Sequence, residues 1–391
     1  MESISRRTFL QSGAAGTLLT VTGCSSHSGL TFDSQPPENG YRTLGPTGFR
    51  VCEIGMGCMN MRDPELVHAA IDSGMNYLDT ADTYMNGINE ETIGQVMKTK
   101  RDRVFLTTKI EPVTSIERSR TDVENSLKRL QTDHVDLLLI HHGGETPEQV
   151  MNENNMKALD EARQKGQTRF VGFSAHASDP EVYETAIGCG FYDAVSLCYN
   201  YASPQHLTTS IERMRKAGIA VIAMKNLLNF NTMPRIPIDD IRNEKNDSVT
   251  HTQALLQWVL ANPYVDVTIP GITAFEHITE NMAIVGTKMA AGSRRMLNRF
   301  DRSIKGTYCM GLSGCSGCRN QCPYGVQVHE INRCLGYAYG YGDVRLAREN
   351  YRRLPKTSTI HACSNCTECT VKCVNGLDLT QNMRRARELF S

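Results

Sequence analysis

Cys363-x2-Cys366-x2-Cys369-x3-Cys373 sets four thiols at a spacing that wraps one face of a cubane iron–sulfur cluster. In runs of this kind the fourth thiolate reaches across to a second cluster, so a partner run is expected. One is present in reduced form: Cys315-x2-Cys318-x3-Cys322 followed by Pro323, with Leu312 where a further cysteine would complete it and Cys309 one helical turn earlier. Nine of the fourteen cysteines lie from Cys309 onward, so the metal chemistry belongs to this end of the chain. A zinc site or disulfides would be the plainer use of many cysteines, but two interlocking runs at this spacing favour iron. If the runs interlock, Cys322 shares one 4Fe-4S cluster with Cys363, Cys366 and Cys369, while Cys373 crosses to Cys315 and Cys318. The second cluster then needs a fourth ligand, for which Cys309 is the choice and Cys334 the reserve.

A second set of reactive side chains lies upstream. Asp79, Lys109, His141 and Ser174 follow four apolar runs in turn. They lie at the edge of the strands where barrel enzymes place their chemistry. Any one of them is as easily a satisfied structural residue; their recurrence after successive strands points to a shared site.

The elements that must position these residues alternate from Tyr41 to about Arg295. Short β-rich runs at Val51–Ile54, Tyr77–Leu78, Val104–Thr108, Val135–Ile140, Phe170–Phe173, Ala194–Cys198, Ala220–Ala223 and Val267–Ile269 are separated by helical patterns. The helices are expected over Pro64–Ser73, Asn89–Thr99, Ser115–Leu130, Asn154–Lys165, Asp179–Ile187, Pro204–Ala217, Ser248–Ala261 and Ala274–Val285. Eight β/α units over about 250 residues predict an α/β fold, a (β/α)8 TIM barrel, with its chemistry at the C-terminal ends of the strands. Beyond Arg299 the chain is arginine-rich, cysteine-studded and helical in pattern, which predicts a small second domain. The expected division is 41–295 for the barrel and 300–391 for the helical iron–sulfur domain. Cys52, Cys58, Cys189 and Cys198 sit among apolar barrel residues and read as small buried hydrophobes.

Lysine plus arginine and aspartate plus glutamate both total 42, so no basic footprint for nucleic acid is present. The N-terminal stretch carries an address instead. Ser5-Arg6-Arg7-Thr8-Phe9-Leu10 precedes a small-residue apolar run to Val21 that is too short to span a bilayer, the form of a twin-arginine export signal. Val21-Thr22-Gly23-Cys24 resembles a bacterial lipobox, with Cys24 as the acylated membrane anchor. Residues 1–24 are thus expected to be a signal peptide and 25–40, rich in Ser, Pro and Gly, a flexible tether. The expected location is periplasmic or membrane-anchored, reached through the twin-arginine translocase, which carries proteins folded with their clusters already in place.

Asn76-Tyr77-Leu78-Asp79-Thr80-Ala81-Asp82-Thr83-Tyr84, Thr108-Lys109 and Val135-Asp136-Leu137-Leu138-Leu139-Ile140-His141, with the opening Arg42-Thr43-Leu44-Gly45-Pro46-Thr47-Gly48, resemble the aldo/keto reductase pattern across the barrel. The cysteine-rich end resembles the helical ferredoxin-like extension of an iron–sulfur branch of that superfamily. The resemblance implies a tetrad of Asp79, Tyr84, Lys109 and His141. Reducing a carbonyl leaves an alkoxide that needs a proton, and a phenol is a poor donor near neutral pH unless its phenolate is stabilised. Lys109, held by Asp79, is expected to lower the pKa of Tyr84. His141 or its neighbour His142 would orient the carbonyl, and the position after Ile140, that of His141, is the one that matches the family.

For the nicotinamide cofactor the resemblance implies Ser174, in Gly172-Phe173-Ser174-Ala175, at the carboxamide. Ser196 falls where a glutamine is usual, and Met224, beside Lys225, where an aromatic ring often stacks. The loop from Pro270 and Gly271 to Asn281 is similar to the one that carries the adenosine phosphate. Gly271 stands where a lysine would meet a 2′-phosphate, and His277 where an arginine would. Charge-assisted hydrogen bonds worth about 1.5–3 kcal/mol each are thereby missing, which weakens the case for NADP over NAD.

The expected activity is interconversion of a carbonyl compound and its alcohol by hydride transfer, with a sugar-like molecule among the candidate substrates and a redox protein among the candidate partners. Two alternatives stand beside it: an electron carrier with a vestigial barrel site, and an anchored binding protein that inherited the fold.

Overall fold

The computed structural model describes residues 40–227, 249–304, 309, 318, 321–340, 342–363, 366, 368–373 and 376–390. The expected signal peptide with Cys24, the expected tether as far as residue 39, Leu312 and Cys315 lie outside the described residues. No helix among the described residues is long and apolar enough to cross a membrane.

The chain enters as a hairpin, β1 (Tyr41–Thr43) antiparallel to β2 (Arg50–Cys52), with Arg42 opposite Val51. Eight parallel strands follow in sequence order: β3 (Met56–Gly57), β4 (Tyr77–Asp79), β5 (Phe105–Ile110), β6 (Val135–Ile140), β7 (Thr168–Ala175), β8 (Ala194–Cys198), β9 (Ala220–Met224) and β10 (Val267–Thr268). Parallel bridges Ile54 to Thr268 and Gly57 to Gly271 close the ring. The architecture is therefore the (β/α)8 barrel. One expectation changes. The run Val51–Ile54 is split: Val51 and Cys52 pair backward into the hairpin, Ile54 bridges Thr268 in the ring, and β3 itself begins at Met56. Val51 still faces inward, but it joins Leu44 in plugging the barrel floor, so an apolar run alone could not tell plug from stave.

Helices pack outside the strands: α1 (Pro64–Asp72), α2 (Ile88–Lys100), α3 (Ile116–Leu130), α4 (Pro147–Val150), α5 (Glu153–Gln164), α6 (Pro180–Cys189), α7 (Gln205–Lys216), α8 (His251–Leu260) and α9 (Phe275–Met282). Local chemistry sets where they start. Asp63 accepts from Glu65 N with Pro64 in the first turn, and Thr146 and Gln149 form a capping box on α4, a turn the periodicity did not reveal.

Strand alternation sorts the core into two shells. Tyr77, Phe105, Leu137, Leu139, Ala194, Ala220 and Ile222 fill the barrel interior, while Leu78, Leu106, Leu138, Ile140, Val195 and Val221 pack against the helices. The inward register, continued toward the C-terminal edge, reaches Asp79, Lys109, His141, Ser174, Ser196 and Met224. Cys52 and Cys58 are buried and Cys189 half-buried against the outer shell, and Cys198 is buried at the end of β8.

Helix α10 (Ala291–Ile304) runs across the boundary expected at residue 295. Beyond it lie α11 (Val328–Gly340), α12 (Val344–Arg352) and α13 (Leu379–Phe390), with no strand among the described residues. They share a small core of their own, including Val328, Ile331, Cys334, Tyr351, Cys363 and Met383.

Candidate active site at the barrel mouth

The four residues of the expected tetrad converge. Asp79 ends β4, Lys109 lies in β5, His141 follows β6, and Tyr84 opens a short 3-10 turn, Tyr84–Gly87. That turn carries left-handed backbone at Met85 (φ 54°) and Asn86 (φ 56°). Asn89 anchors it, accepting from the Thr80 hydroxyl at 2.6 Å and donating to the carbonyls of Cys58 and Met61 at 2.7 and 2.8 Å. Strain in such a turn persists only when the surroundings fix it, and these bonds aim the Tyr84 ring into the mouth.

Lys109 Nζ donates to Asp79 Oδ1 at 2.5 Å, to the Thr80 carbonyl at 2.7 Å and to the Tyr84 hydroxyl at 3.4 Å. All three donors of the ammonium are used. Burial pulls the Lys109 pKa down, but Asp79 and Tyr84 more than restore it, so the group stays charged. Burial pushes the Asp79 carboxyl up against the pull of Lys109. At 2.5 Å from a charged amine we read the pair as ionised.

The expectation for Tyr84 is corrected here. Lys109 does pull its pKa down, yet burial of the hydroxyl outweighs that charge and the net direction is upward from 10. The phenol is thus held protonated, a stored proton rather than a standing phenolate. His141 lies edge-on to Tyr84, ring centroids 5.8 Å apart, and its pKa falls well below 6.5 through burial and then the neighbouring His142 and Lys109. It is neutral at neutral pH. Its Nδ1 meets Thr83 Oγ1 at 3.4 Å and Glu111 Oε1 at 3.3 Å. When the Thr83 hydroxyl donates, the ring proton sits on Nε2, the tautomer able to donate to a carbonyl oxygen.

The residues expected to hold nicotinamide line the same edge. Ser196 Oγ and Asn281 Oδ1 are buried with no hydrogen-bond partner, as is Asp79 Oδ2. Buried unsatisfied atoms of this kind are rare and mark where a ligand's polar groups fit. Ser174 Oγ accepts the His142 N–H at 3.0 Å, which leaves its hydroxyl proton to give. Met224 is half-buried at the end of β9, and Lys225 follows it with left-handed backbone, φ 57°. The Pro270 carbonyl accepts from Gly57 N at 2.9 Å, and space lies open where a side chain on Gly271 would stand. The donor set fits a nicotinamide nucleotide; His277 Nδ1 is engaged by Thr273 N at 3.3 Å.

Other residues at the mouth were not legible as functional. Glu145 accepts from His142 and His176, which stack with His141 in a row. The signal was present in His141-His142-Gly143-Gly144-Glu145 and in His176 one strand later, but only the adjacency of β6 and β7 unites them. The C-terminal helices also reach the mouth. Arg353 pairs with Glu111 at 3.1 Å, and Lys225 Nζ lies 5.3 Å from the Tyr337 ring centre.

In the C-terminal region Cys322, Cys363, Cys366 and Cys369 line one cavity with Pro323, Val328, Met383 and Arg387. None is in a disulfide. Arg387 donates to the carbonyls of Cys363 and Cys366, bringing a positive charge to the cavity wall. Four thiols around one cavity beside a cation are a donor set that suits a dianionic iron–sulfur group. Cys318 and Cys373 pack at the edge of the same small core and Cys309 is half-buried, while their expected companion Cys315 lies outside the described residues. Burial pushes the Cys334 thiol up to about 12, the behaviour of an apolar core group.

The sequence model of the aldo/keto reductase family matches residues 54–230. The uncharacterized oxidoreductase YqkF of Bacillus subtilis is 25% identical over 309 residues, covering 68% of this chain and 95% of its own length. L-galactose dehydrogenase of Arabidopsis thaliana is 25% identical over 279 residues, 62% of this chain and 87% of that protein. Among solved structures, an aldo-keto reductase from Klebsiella pneumoniae in complex with NADPH superposes with a TM-score of 0.57 at 26% identity, covering 66% of this chain and 94% of that one.

Proposed function

We propose that this chain, an oxidoreductase of the aldo/keto reductase type, interconverts a carbonyl compound and its alcohol with a bound nicotinamide nucleotide, and that Tyr84 carries the proton. One observation carries the proposal: the Lys109 ammonium bridges Asp79 Oδ1 at 2.5 Å and the Tyr84 hydroxyl at 3.4 Å in a buried setting. A reduced nicotinamide held beside these residues would supply the hydride that the carbonyl carbon takes up. His141 Nε2–H orients the carbonyl oxygen, and Tyr84 gives that oxygen its proton as negative charge develops there. The phenolate left behind is then compensated by Lys109, whose charge Asp79 anchors. Ser174, Ser196 and Asn281 would hold the nucleotide, with Met224, Lys225, Pro270 and Gly271 shaping its bed. NADPH binding by the Klebsiella relative supports the cofactor class, while Gly271 and His277 argue against a strong grip on a 2′-phosphate. The name of the Arabidopsis relative supports a sugar-like substrate.

The reading extends to a 4Fe-4S cluster on Cys322, Cys363, Cys366 and Cys369, supported by their shared cavity, and to a second on Cys309, Cys315, Cys318 and Cys373, supported by the spacing alone. It extends also to export: the Arg6-Arg7 signal and Cys24 would deliver a folded, loaded protein to the periplasmic face with a lipid anchor.

The test is anaerobic purification followed by carbonyl reduction by wild type and Tyr84→Phe, monitored as nicotinamide oxidation. A loss on the order of 10²–10⁴-fold with nucleotide binding retained is expected. Equal rates would overturn the tetrad reading. Iron and sulfide assays on the same material test the clusters, with about eight irons per chain expected for two cubanes.

A further inference from the structure

The loop after β6 and the end of β7 hold three donor side chains that the tetrad leaves unused. His142 takes left-handed backbone (φ 55°), which turns its ring away from the run of β6. Gly143 and Gly144 then curl the chain back. A side chain on Gly144 would come within 2.2 Å of the Phe173 ring, so the turn passes there only as glycine. The curl delivers Glu145, whose N–H is held by Gln149 Oε1 at 2.9 Å. His176 follows Ala175 of β7, and its backbone N–H donates to Glu145 Oε1 at 2.9 Å.

We propose that His142, Glu145 and His176 form a binding site for one divalent transition metal ion, of the zinc class that prefers imidazole and carboxylate donors. One donor atom from each residue lies within 4.8 Å of the others. Glu145 Oε1 stands 3.3 Å from His142 Nδ1 and 3.0 Å from His176 Nδ1. Ligands of a tetrahedral ion with bonds near 2.0–2.1 Å lie roughly 3.3–3.4 Å apart, so two edges of such a polyhedron are already drawn. The rings of His142 and His176 are within 22° of parallel at 4.7 Å, and His141 stacks on His142 at 4.4 Å. The site therefore adjoins the residue that faces the substrate carbonyl. All three side chains are largely buried, with 24%, 16% and 9% of their surfaces open, enough for an ion to enter from the mouth.

Charges of both signs from the C-terminal helices face this group. Arg333 bears on His176 and Glu330 on Glu145, and the two pair with each other at 2.6 Å, so neither acts as a lone charge. Three protein ligands leave a fourth position open, the arrangement of catalytic rather than structural zinc sites. A substrate hydroxyl or carbonyl oxygen is the chemistry that position would accept. The inference rests on neither the nucleotide nor the cluster reading.

The competing account is a plain hydrogen-bonded triad, and Glu145→Gln separates the two. Glutamine keeps the acceptor oxygen for both imidazoles but removes the anionic ligand. The full-length protein with its native clusters is treated with a mild chelator and dialysed against zinc chloride, and zinc and iron are counted by plasma mass spectrometry. Wild type should retain one zinc per chain above its iron. Glu145→Gln and His176→Ala should bind zinc at least ~10-fold more weakly, with iron content and circular dichroism unchanged. The zinc that wild type holds in excess of Glu145→Gln should show, in the difference of the two zinc-edge spectra, nitrogen and oxygen neighbours near 2.0–2.1 Å and no sulfur near 2.3 Å. No zinc above iron in the wild type, equal affinity in Glu145→Gln, or sulfur in the difference spectrum would each overturn the proposal.

Discussion

The barrel and the cysteine-rich C-terminal region sit against one another at the mouth, yet they are held together by different means. The barrel carries two apolar shells, one inside the strands and one beneath the helices, and its reactive residues are the polar tips of strands fixed by that burial. Among its described residues the C-terminal region has two small clusters, of twelve and three buried residues, and one member of the larger, Cys363, is itself a candidate ligand. A core that small gives little surplus over the entropy of ordering its chain. The barrel should therefore keep its shape without help, while the C-terminal region should depend on what its thiols bind.

The largest effect expected from this contrast comes from removing the clusters. Chelation under oxidising conditions, or Cys363→Ser, should abolish hydrogen-exchange protection across α11 to α13 while leaving β4 to β9 protected. Equal protection in both regions after complete loss of iron would remove the contrast.

Next in size is the buried ion pair. Lys109→Met leaves Asp79 without its cation, and should lower stability by about 3–5 kcal/mol in denaturant titrations as well as abolish activity. The Asp79→Asn, Lys109→Met double variant should recover a measurable part of that loss. Recovery of none of it would mean that the pair does not act as a unit.

A smaller effect is dependent on pH. Asp82 is half-buried, its Oδ1 lacks a partner, and burial followed by Glu90, Glu111 and Asp122 pushes its carboxyl up to about 7. The folded protein then binds a proton that the unfolded chain releases near pH 4, so stability falls as pH rises from about 4 to about 7. Asp82→Asn should stabilise the barrel by roughly 2 kcal/mol more at pH 8 than at pH 5. Melting curves with the same gain at both pH values would contradict the assignment.

The smallest effect lies at the contact between the two regions. Arg353 and Glu111 are each more than a third exposed, so Arg353→Gln should change stability by no more than about 1 kcal/mol. Arg353 also helps hold the His141 pKa down, so its loss should move the acid limb of the rate profile slightly upward. An unmoved limb would show that the C-terminal helices cover the mouth without tuning it.

The sequence by itself determined the barrel and the edge at which Asp79, Lys109 and His141 meet. Side chains alternate along each apolar run, and the inward register carries Asp79, Lys109 and His141 to the C-terminal edge because strands in one barrel share a direction. The cysteine spacing likewise keeps Cys363, Cys366 and Cys369 together, since they are near in sequence, whereas Cys322 reaches their cavity only through the fold. What tertiary structure decided is of another kind. Whether Val51 belonged to a stave or to the plug depended on which strand it paired with. Whether Lys109 or burial governed Tyr84 depended on how deeply the hydroxyl lay. The meeting of His142 and Glu145 with His176 depended on two loops being neighbours across β6 and β7. Periodicity records the direction in which a side chain points, and spacing records what is local. Neither records the distance between residues that only the closed ring brings together, and electrostatics in a buried site is set by that distance.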